Sequence, residues 1–80
     1  MQISKAVTLR LSELLKKNKI SRYKFALKTG LSIDTLKSIA IGKTKGVNLK
    51  TLIVIAEGFD MTVSEFLNCD LFLYKNLEIE

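Results

Sequence analysis

The stretch SRYKFALKTGLSIDTLKSIAIG, residues 21–42, decides the fold because it contains two short helical segments separated by a glycine. Ser21 can cap a helix that ends at Gly30, the residue type that most readily adopts a left-handed conformation. Ser32 can cap the next helix, which we expect to end at Gly42. The residues expected to be buried are Phe25 and Ala26 in the first of these helices and Leu36 and Ile39 in the second.

The chain on either side of this stretch also has the three- and four-residue apolar spacing of amphipathic helices. A helix precedes it, and two lysines in its last turn suit the negative end of the helix dipole. Asn48 can cap a fourth helix that ends at Gly58, and Thr62 with Glu65 forms a capping-box signal for a short fifth helix. The expected inward-facing residues are Ile3, Val7, Leu11, Leu14 and Leu15 in the first helix, Leu49, Leu52, Ile53 and Ala56 in the fourth, and Val63, Phe66 and Leu67 in the fifth.

The sequence therefore predicts an all-α, five-helix domain at residues 1–69 and a short C-terminal tail at residues 70–80. The tail fits either a strand or a last helix, because residues 71–74 form an apolar run while residues 77–80 alternate between apolar and charged. The apolar run either packs on the domain's own core or forms a dimer contact. Leu9 and Leu73 are apolar residues beyond those that one small core needs.

The charge of the chain is distributed unevenly. Residues 1–50 contain twelve Lys/Arg and two acids, a net +10, whereas residues 51–80 carry a net −5. Such an uneven charge distribution produces an electrostatic field that attracts a polyanion to one side of the molecule and repels it from the other. The alternative is that the lysines serve only solubility. Hydrophobic residues make up 48% of the chain, which is enough for a core and argues against disorder.

Several classes of protein fit the composition poorly. The chain has no His, and Cys69 is its single cysteine, so neither an intrachain disulfide nor a zinc set is expected. We interpret Cys69 as an inert, half-buried thiol. No nucleophile–base pair is evident, and the sequence around Lys43 lacks the first glycine of a phosphate loop. We expect no enzyme, no cofactor, no metal and no membrane span, and hence a cytoplasmic protein.

The two helices of residues 21–42 have the outline of a helix-turn-helix. In that motif the first helix crosses the DNA backbone, so Ser21 and Arg22 can bind a phosphate. The second helix, near residues 33–41, places its N-terminal turn in the major groove, and Ser32 at its cap sits where a phosphate would. The outward-facing residues of this second helix are Ile33, Asp34, Lys37 and Ser38.

Residues 7–67 resemble the lambda-repressor-like, Cro-type (XRE) helix-turn-helix family. The matching features are Ile20-Ser21, Phe25-Ala26, Gly30-Leu31-Ser32, Thr35-Leu36, Ile39, Gly42-Lys43, the run Leu49-Lys50-Thr51-Leu52 with Ile55-Ala56, and the closing Met61-Thr62-Val63-Ser64-Glu65-Phe66-Leu67. The resemblance covers about three quarters of the chain without a gap.

This resemblance implies a five-helix domain that regulates transcription, usually as a repressor, by binding double-stranded DNA. It implies a homodimer on a palindromic operator, and a bacterium, phage or mobile element as the source. The residues it assigns to base contacts are Ile33, Asp34, Lys37 and Ser38. Those it assigns to the DNA backbone are Ser21, Arg22, Ser32, Thr35, Lys43 and Lys45.

The sequence departs from the usual family pattern in three respects. Leu15 and Ala40 stand where many members have a partly buried Arg–Glu pair, and losing both partners together can be neutral. The base-reading positions lack the Gln or Arg that typically make bidentate base contacts, and Asp34 among them repels phosphate. Gly46 stands in the loop where members often carry another basic residue or a proline. Asp34 and the apolar tail favour an alternative function, an antitoxin or anti-repressor-like module that uses the fold to bind a protein partner.

Overall fold

The computed structural model of this chain describes residues 1–43 and 46–78. These residues form five α-helices and two 3₁₀ turns, which confirms the predicted all-α class. The α-helices are α1 Ile3–Lys17, α2 Arg22–Thr29, α3 Ile33–Ala40, α4 Leu49–Gly58 and α5 Val63–Leu67, and the 3₁₀ turns are Asp70–Phe72 and Tyr74–Asn76. Each helix in the described ranges is too short or too polar to cross a lipid bilayer.

The four predicted helix caps are confirmed. The side-chain oxygens of Ser21, Ser32 and Asn48 each accept a hydrogen bond from the backbone N–H three residues later, at 3.1, 3.0 and 2.8 Å. At α5 the bonds run both ways: Thr62 Oγ1 accepts from the Glu65 N–H at 3.1 Å, and Glu65 Oε1 accepts from the Thr62 N–H at 2.9 Å. Such caps satisfy amide groups that have no partner within the helix.

Replacing Thr62 by alanine is expected to lower the free energy of unfolding by about 1 kcal/mol, because α5 loses its capping box. The exposed Ser64 lies in the same helix and caps nothing, so Ser64→Ala is the matched control and should change stability by less than about 0.5 kcal/mol. Urea denaturation followed by circular dichroism measures both. Equal losses in the two variants would contradict the capping argument.

Left-handed residues follow four of the helices. Gly30 has φ +79° at the end of α2, as predicted. The prediction for α3 was too long: the helix ends at Ala40, not at residue 41 or Gly42. The helix closes early because the N–H groups of Gly42 and Lys43 donate back to the carbonyls of Ile39 and Ser38, at 3.2 and 3.0 Å. The other three left-handed residues are Gly42, Lys19 after α1, and Asp60 after α4.

The core lies where α1 and α2 meet α3 and where α4 packs against α2 and α5. Its buried apolar residues are Ala6, Val7, Leu11 and Leu14 from α1, Phe25 and Ala26 from α2, Leu36 and Ile39 from α3, Ile55 and Ala56 from α4, and Phe66 from α5. The Phe25 ring stacks on Phe59 with 4.3 Å between ring centroids. This packing fixes α2 and α3 relative to each other.

Three residues predicted to face inward are exposed instead. Leu49 and Ile53 of α4 are 61% and 43% exposed, and Ile55 fills the core in their place. Residues 52–56 are all apolar, so the periodicity of α4 does not specify its inner face, and contact with α2 and α5 selects it. Ile3, the first residue of α1, is 47% exposed.

The tail forms neither the strand nor the regular helix that its pattern allowed. Phe72 packs against the core, with its ring centroid 6.1 Å from that of Phe66, whereas Leu73 is exposed and Tyr74 is 78% exposed. Leu9 is also exposed, in agreement with its being surplus to the core. The Glu78 N–H donates to the Met1 carbonyl at 2.7 Å, so the tail returns to the start of α1. Residues 79 and 80 of the alternating pattern lie outside the described residues.

Candidate nucleic-acid interface

The orientation of α3 is set by its two buried residues. Leu36 and Ile39 point into the core. With about 100° of rotation per residue, Asp34, Lys37 and Ser38 come to lie on the opposite side of the helix. Ile33, at the start of α3, borders this face and is 45% exposed. The four residues predicted to contact bases therefore share one outward arc.

A shallow groove of about 360 Å³ runs along one edge of this arc, between α3 and the start of α4. Asp34 and Ser38 form its α3 wall, and Asn48 and Thr51 lie opposite. Sequence reasoning assigned Asn48 only a capping role and gave Thr51 no role in the interface. Nothing local in the sequence indicates this proximity, because the tertiary packing brings the start of α4 beside α3.

The hydroxyl groups of Ser32 and Thr35 are linked at the start of α3. Ser32 Oγ accepts from the Thr35 N–H at 3.0 Å and donates its own proton to Thr35 Oγ1 at 2.7 Å. Both hydroxyl groups are exposed, and either can rotate to donate a hydrogen bond to an anion.

The other candidate backbone contacts lie at the start of α2 and after α3. Ser21 and Arg22 are exposed and line a concave surface of about 490 Å³. Leu15 and Ala40, the apolar pair that departs from the family pattern, are half-buried and line the same concavity. Lys43 is exposed, and its backbone N–H is bonded to α3 as described above. Lys45, also predicted to contact the backbone, lies outside the described residues.

The same concavity brings Lys16 and Lys19 beside Arg22. Sequence reasoning assigned Lys16 to the helix dipole, gave Lys19 no role, and missed this grouping. Their closeness in sequence to Ser21 is the signal that could have revealed it.

Few of the charged groups are paired. In residues 1–43 and 46–78, the ion pairs are Arg10–Glu13 and the Met1 amino group with Glu78. Neither involves a residue of the α3 arc, so the charges of Lys37 and Asp34 are available to an external partner. The described part of the chain also contains no group of three or more His, Cys, Asp or Glu that could hold a metal ion.

Comparison with known proteins gives one family. A family model described as the Cro/C1-type HTH DNA-binding domain matches residues 10–70. No curated protein and no solved structure matches the chain. The matched region includes α2, the turn at Gly30 and α3, and so covers every residue of the interface described above.

Proposed function

This chain belongs to the Cro/C1-type helix-turn-helix DNA-binding domain family, and from that premise we propose that it is a sequence-specific repressor that binds a palindromic operator as a homodimer. The observation that carries the proposal is the outward arc of α3, whose charged side chains form no ion pair within residues 1–43 and 46–78 and whose helix is anchored in the core by Leu36 and Ile39. Side chains held in this way can read base edges in the major groove.

Each residue of the arc has a base-edge partner that suits its chemistry. The Ile33 side chain can pack on a thymine methyl group, and the Asp34 carboxylate can accept a hydrogen bond from a cytosine amino group. The Lys37 ammonium can donate to guanine O6 and N7. Ser38 can donate or accept, and therefore discriminates less between bases.

The proposed contacts to the DNA backbone flank this arc on both sides. Ser21 and Arg22 bind phosphate at the start of α2, Ser32 and Thr35 at the start of α3, and Lys43 with Lys45 in the loop after α3. These contacts set the register of α3 in the groove without reading sequence. They also offset the repulsion between Asp34 and the phosphates.

Binding as a dimer requires a contact between two copies. The exposed apolar residues Leu9, Leu73 and Tyr74 support such a contact, since the domain's own core leaves them uncovered. A two-fold dimer would bind half-sites about one helical turn of DNA apart, which is the origin of a palindromic operator.

Selection from a pool of random duplexes at about 0.15 M salt, followed by sequencing, tests the proposal. We expect an enriched inverted repeat for the wild-type protein. Lys37→Ala should bind the enriched duplex about tenfold more weakly and lose preference at one base pair of each half-site. Lys75→Ala removes another exposed lysine, in the tail, and should leave the enrichment unchanged.

Failure to enrich any sequence would overturn the proposed repressor function. If that protein also formed a salt-resistant complex with another protein, the antitoxin or anti-repressor alternative would take its place. Enrichment of a single half-site without an inverted repeat would support sequence-specific binding but refute binding as a dimer.

A further inference from the structure

The concavity at the start of α2 carries more positive charge than the predicted contacts account for. Lys16 and Lys19 share it with Arg22, while Leu15 and Ala40 contribute to its apolar floor. All three cationic residues are exposed, and none is in an ion pair within residues 1–43 and 46–78. The acid in α1, Glu13, is held by Arg10 at 3.1 Å instead. The concavity is thus lined by three positive charges that no described acid neutralises.

The backbone at Lys19 provides a second, independent observation. Lys19 has φ +53° in the turn that ends α1, where its N–H and that of Ile20 donate to the carbonyls of Lys16 and Leu15 at 3.2 and 3.1 Å. Glycine, asparagine or aspartate is the usual residue at such a point, because a β-carbon disfavours this conformation. The corresponding positions after α2, α3 and α4 follow that rule with Gly30, Gly42 and Asp60.

The left-handed conformation of Lys19, together with the lack of an ion pair within residues 1–43 and 46–78, makes its side chain a candidate for a contact outside the fold. Its neighbours indicate what that contact is. Lys16 and Lys19 lie along the same surface as Ser21 and Arg22, which contact the DNA backbone in the proposed function. A duplex that runs past the start of α2 presents successive phosphates to this surface, with one negative charge per nucleotide.

We propose that Lys16 and Lys19 bind DNA backbone phosphates beside those held by Ser21 and Arg22, and so extend the phosphate contacts onto the end of α1. This inference rests on the proposed DNA-binding function and adds two residues to it. Because phosphate contacts carry no sequence information, these lysines raise affinity and leave the base preference unchanged. The flexible lysine side chains allow the ammonium groups to reach phosphates of slightly different position.

Affinity measured against salt concentration tests the inference. The double variant Lys16→Gln/Lys19→Gln should bind the enriched duplex about tenfold more weakly. The slope of the logarithm of the binding constant against the logarithm of the salt concentration should be smaller in magnitude by about two. Lys17→Gln is the matched control, because Lys17 ends the same helix but does not line the concavity. We expect it to resemble the wild type in both quantities. Fluorescence anisotropy with a labelled duplex, from 0.05 to 0.3 M salt, gives both values.

The single variant Lys19→Gly separates DNA binding from a structural role. Glycine relieves the left-handed conformation, so the melting temperature should equal or exceed that of the wild type while DNA binding weakens about threefold. A lysine that served only the helix dipole would give unchanged binding and a lower melting temperature.

Two results would overturn the inference: a double variant within twofold of the wild type with an unchanged salt dependence, or an equal loss in Lys17→Gln. Neither bears on sequence specificity. If selection enriches no sequence, the same titrations on an arbitrary duplex of about 20 base pairs still test the phosphate contacts, since non-specific binding is electrostatic. Failure of the inference and failure of the proposed function are therefore distinguishable.

Discussion

Replacing Arg10 by alanine is expected to lower the free energy of unfolding by about 3 kcal/mol, the largest effect that we predict. Arg10 is a buried residue, 8% exposed, and its side chain joins α1 to the end of α5. Its Nε donates to the Phe66 carbonyl at 2.8 Å, its Nη2 to the Glu65 carbonyl at 3.2 Å, and its guanidinium lies 5.7 Å from the Phe66 ring centroid. No other donor in residues 1–43 and 46–78 reaches the Phe66 carbonyl.

The alanine variant leaves that buried carbonyl without a donor and leaves a void beside Phe66. For a chain of this size the loss corresponds to a fall in melting temperature of roughly 12–24 °C. Calorimetry or urea denaturation measures it. Since 3 kcal/mol is a large part of the stability of a typical domain, reduced recovery of folded protein is part of the expected result.

Two further variants assign the effect to its cause. Arg10→Met keeps most of the side-chain volume and loses the hydrogen bonds, so it should lie between the wild type and Arg10→Ala. Glu13→Gln removes the ion pair, whose carboxylate is largely exposed, and should cost less than about 1 kcal/mol. A loss of less than 1 kcal/mol in Arg10→Ala would mean that the end of α5 is not held by this residue.

Gly58→Ala is expected to destabilise the protein by about 2 kcal/mol, although alanine is the better helix former by about 1 kcal/mol. A β-carbon at Gly58 would stand 2.6 Å from Thr29 Cγ2 and 2.7 Å from Phe25 Cζ. The Phe25 ring is fully buried and stacked on Phe59, so it cannot move aside without disturbing the core. The close approach of α4 to α2 therefore depends on the missing side chain.

Gly46→Ala is the matched control, because a β-carbon there meets nothing within 4 Å. It should be neutral or slightly stabilising. The double variant Gly58→Ala/Phe25→Leu should be less destabilised than the sum of its two single variants, since a smaller side chain relieves the clash. Strict additivity, measured by denaturation of all four proteins, would show that the clash is not with Phe25.

Gly58→Ala acts on the packing that supports the interface rather than on the interface itself. Gly58 allows α4 to pack on α2, and α2 in turn packs on α3. A shift of α2 would move Ser21 and Arg22 relative to the α3 arc. We therefore expect Gly58→Ala to weaken DNA binding through displaced phosphate contacts, in addition to its effect on stability.

The part of the site on α3 was predictable because its determinants are local. The caps Ser21 and Ser32, the left-handed Gly30 and the buried pair Leu36 and Ile39 all lie within one short stretch of chain. Each acts over three or four residues, and together they determine where α3 begins and which way it faces. Only its last residue was misplaced, because the turn at Gly42 closes the helix at Ala40, before the glycine itself.

The contribution of Arg10 was not predicted, although its spacing carried a signal. It falls three residues after Val7 and four before Leu14, on the apolar stripe of α1, where an exposed arginine would not belong. What the spacing could not supply is the partner, since the Phe66 carbonyl lies 56 residues away along the chain.

The sequence by itself thus determined the five helices, their caps and the outward arc of α3, because hydrogen bonds between near neighbours and a buried apolar stripe specify them. The tertiary structure alone decided which face of α4 is buried, how the tail folds, what Arg10 holds, and that Lys16 and Lys19 lie beside Arg22. These features depend on contacts between segments distant in sequence or on the shape of the surface between helices. Local patterns placed Arg10 on the apolar stripe of α1 and Lys16 and Lys19 close to Ser21 in sequence, but they supply neither the distant partner of Arg10 nor the shape of the surface.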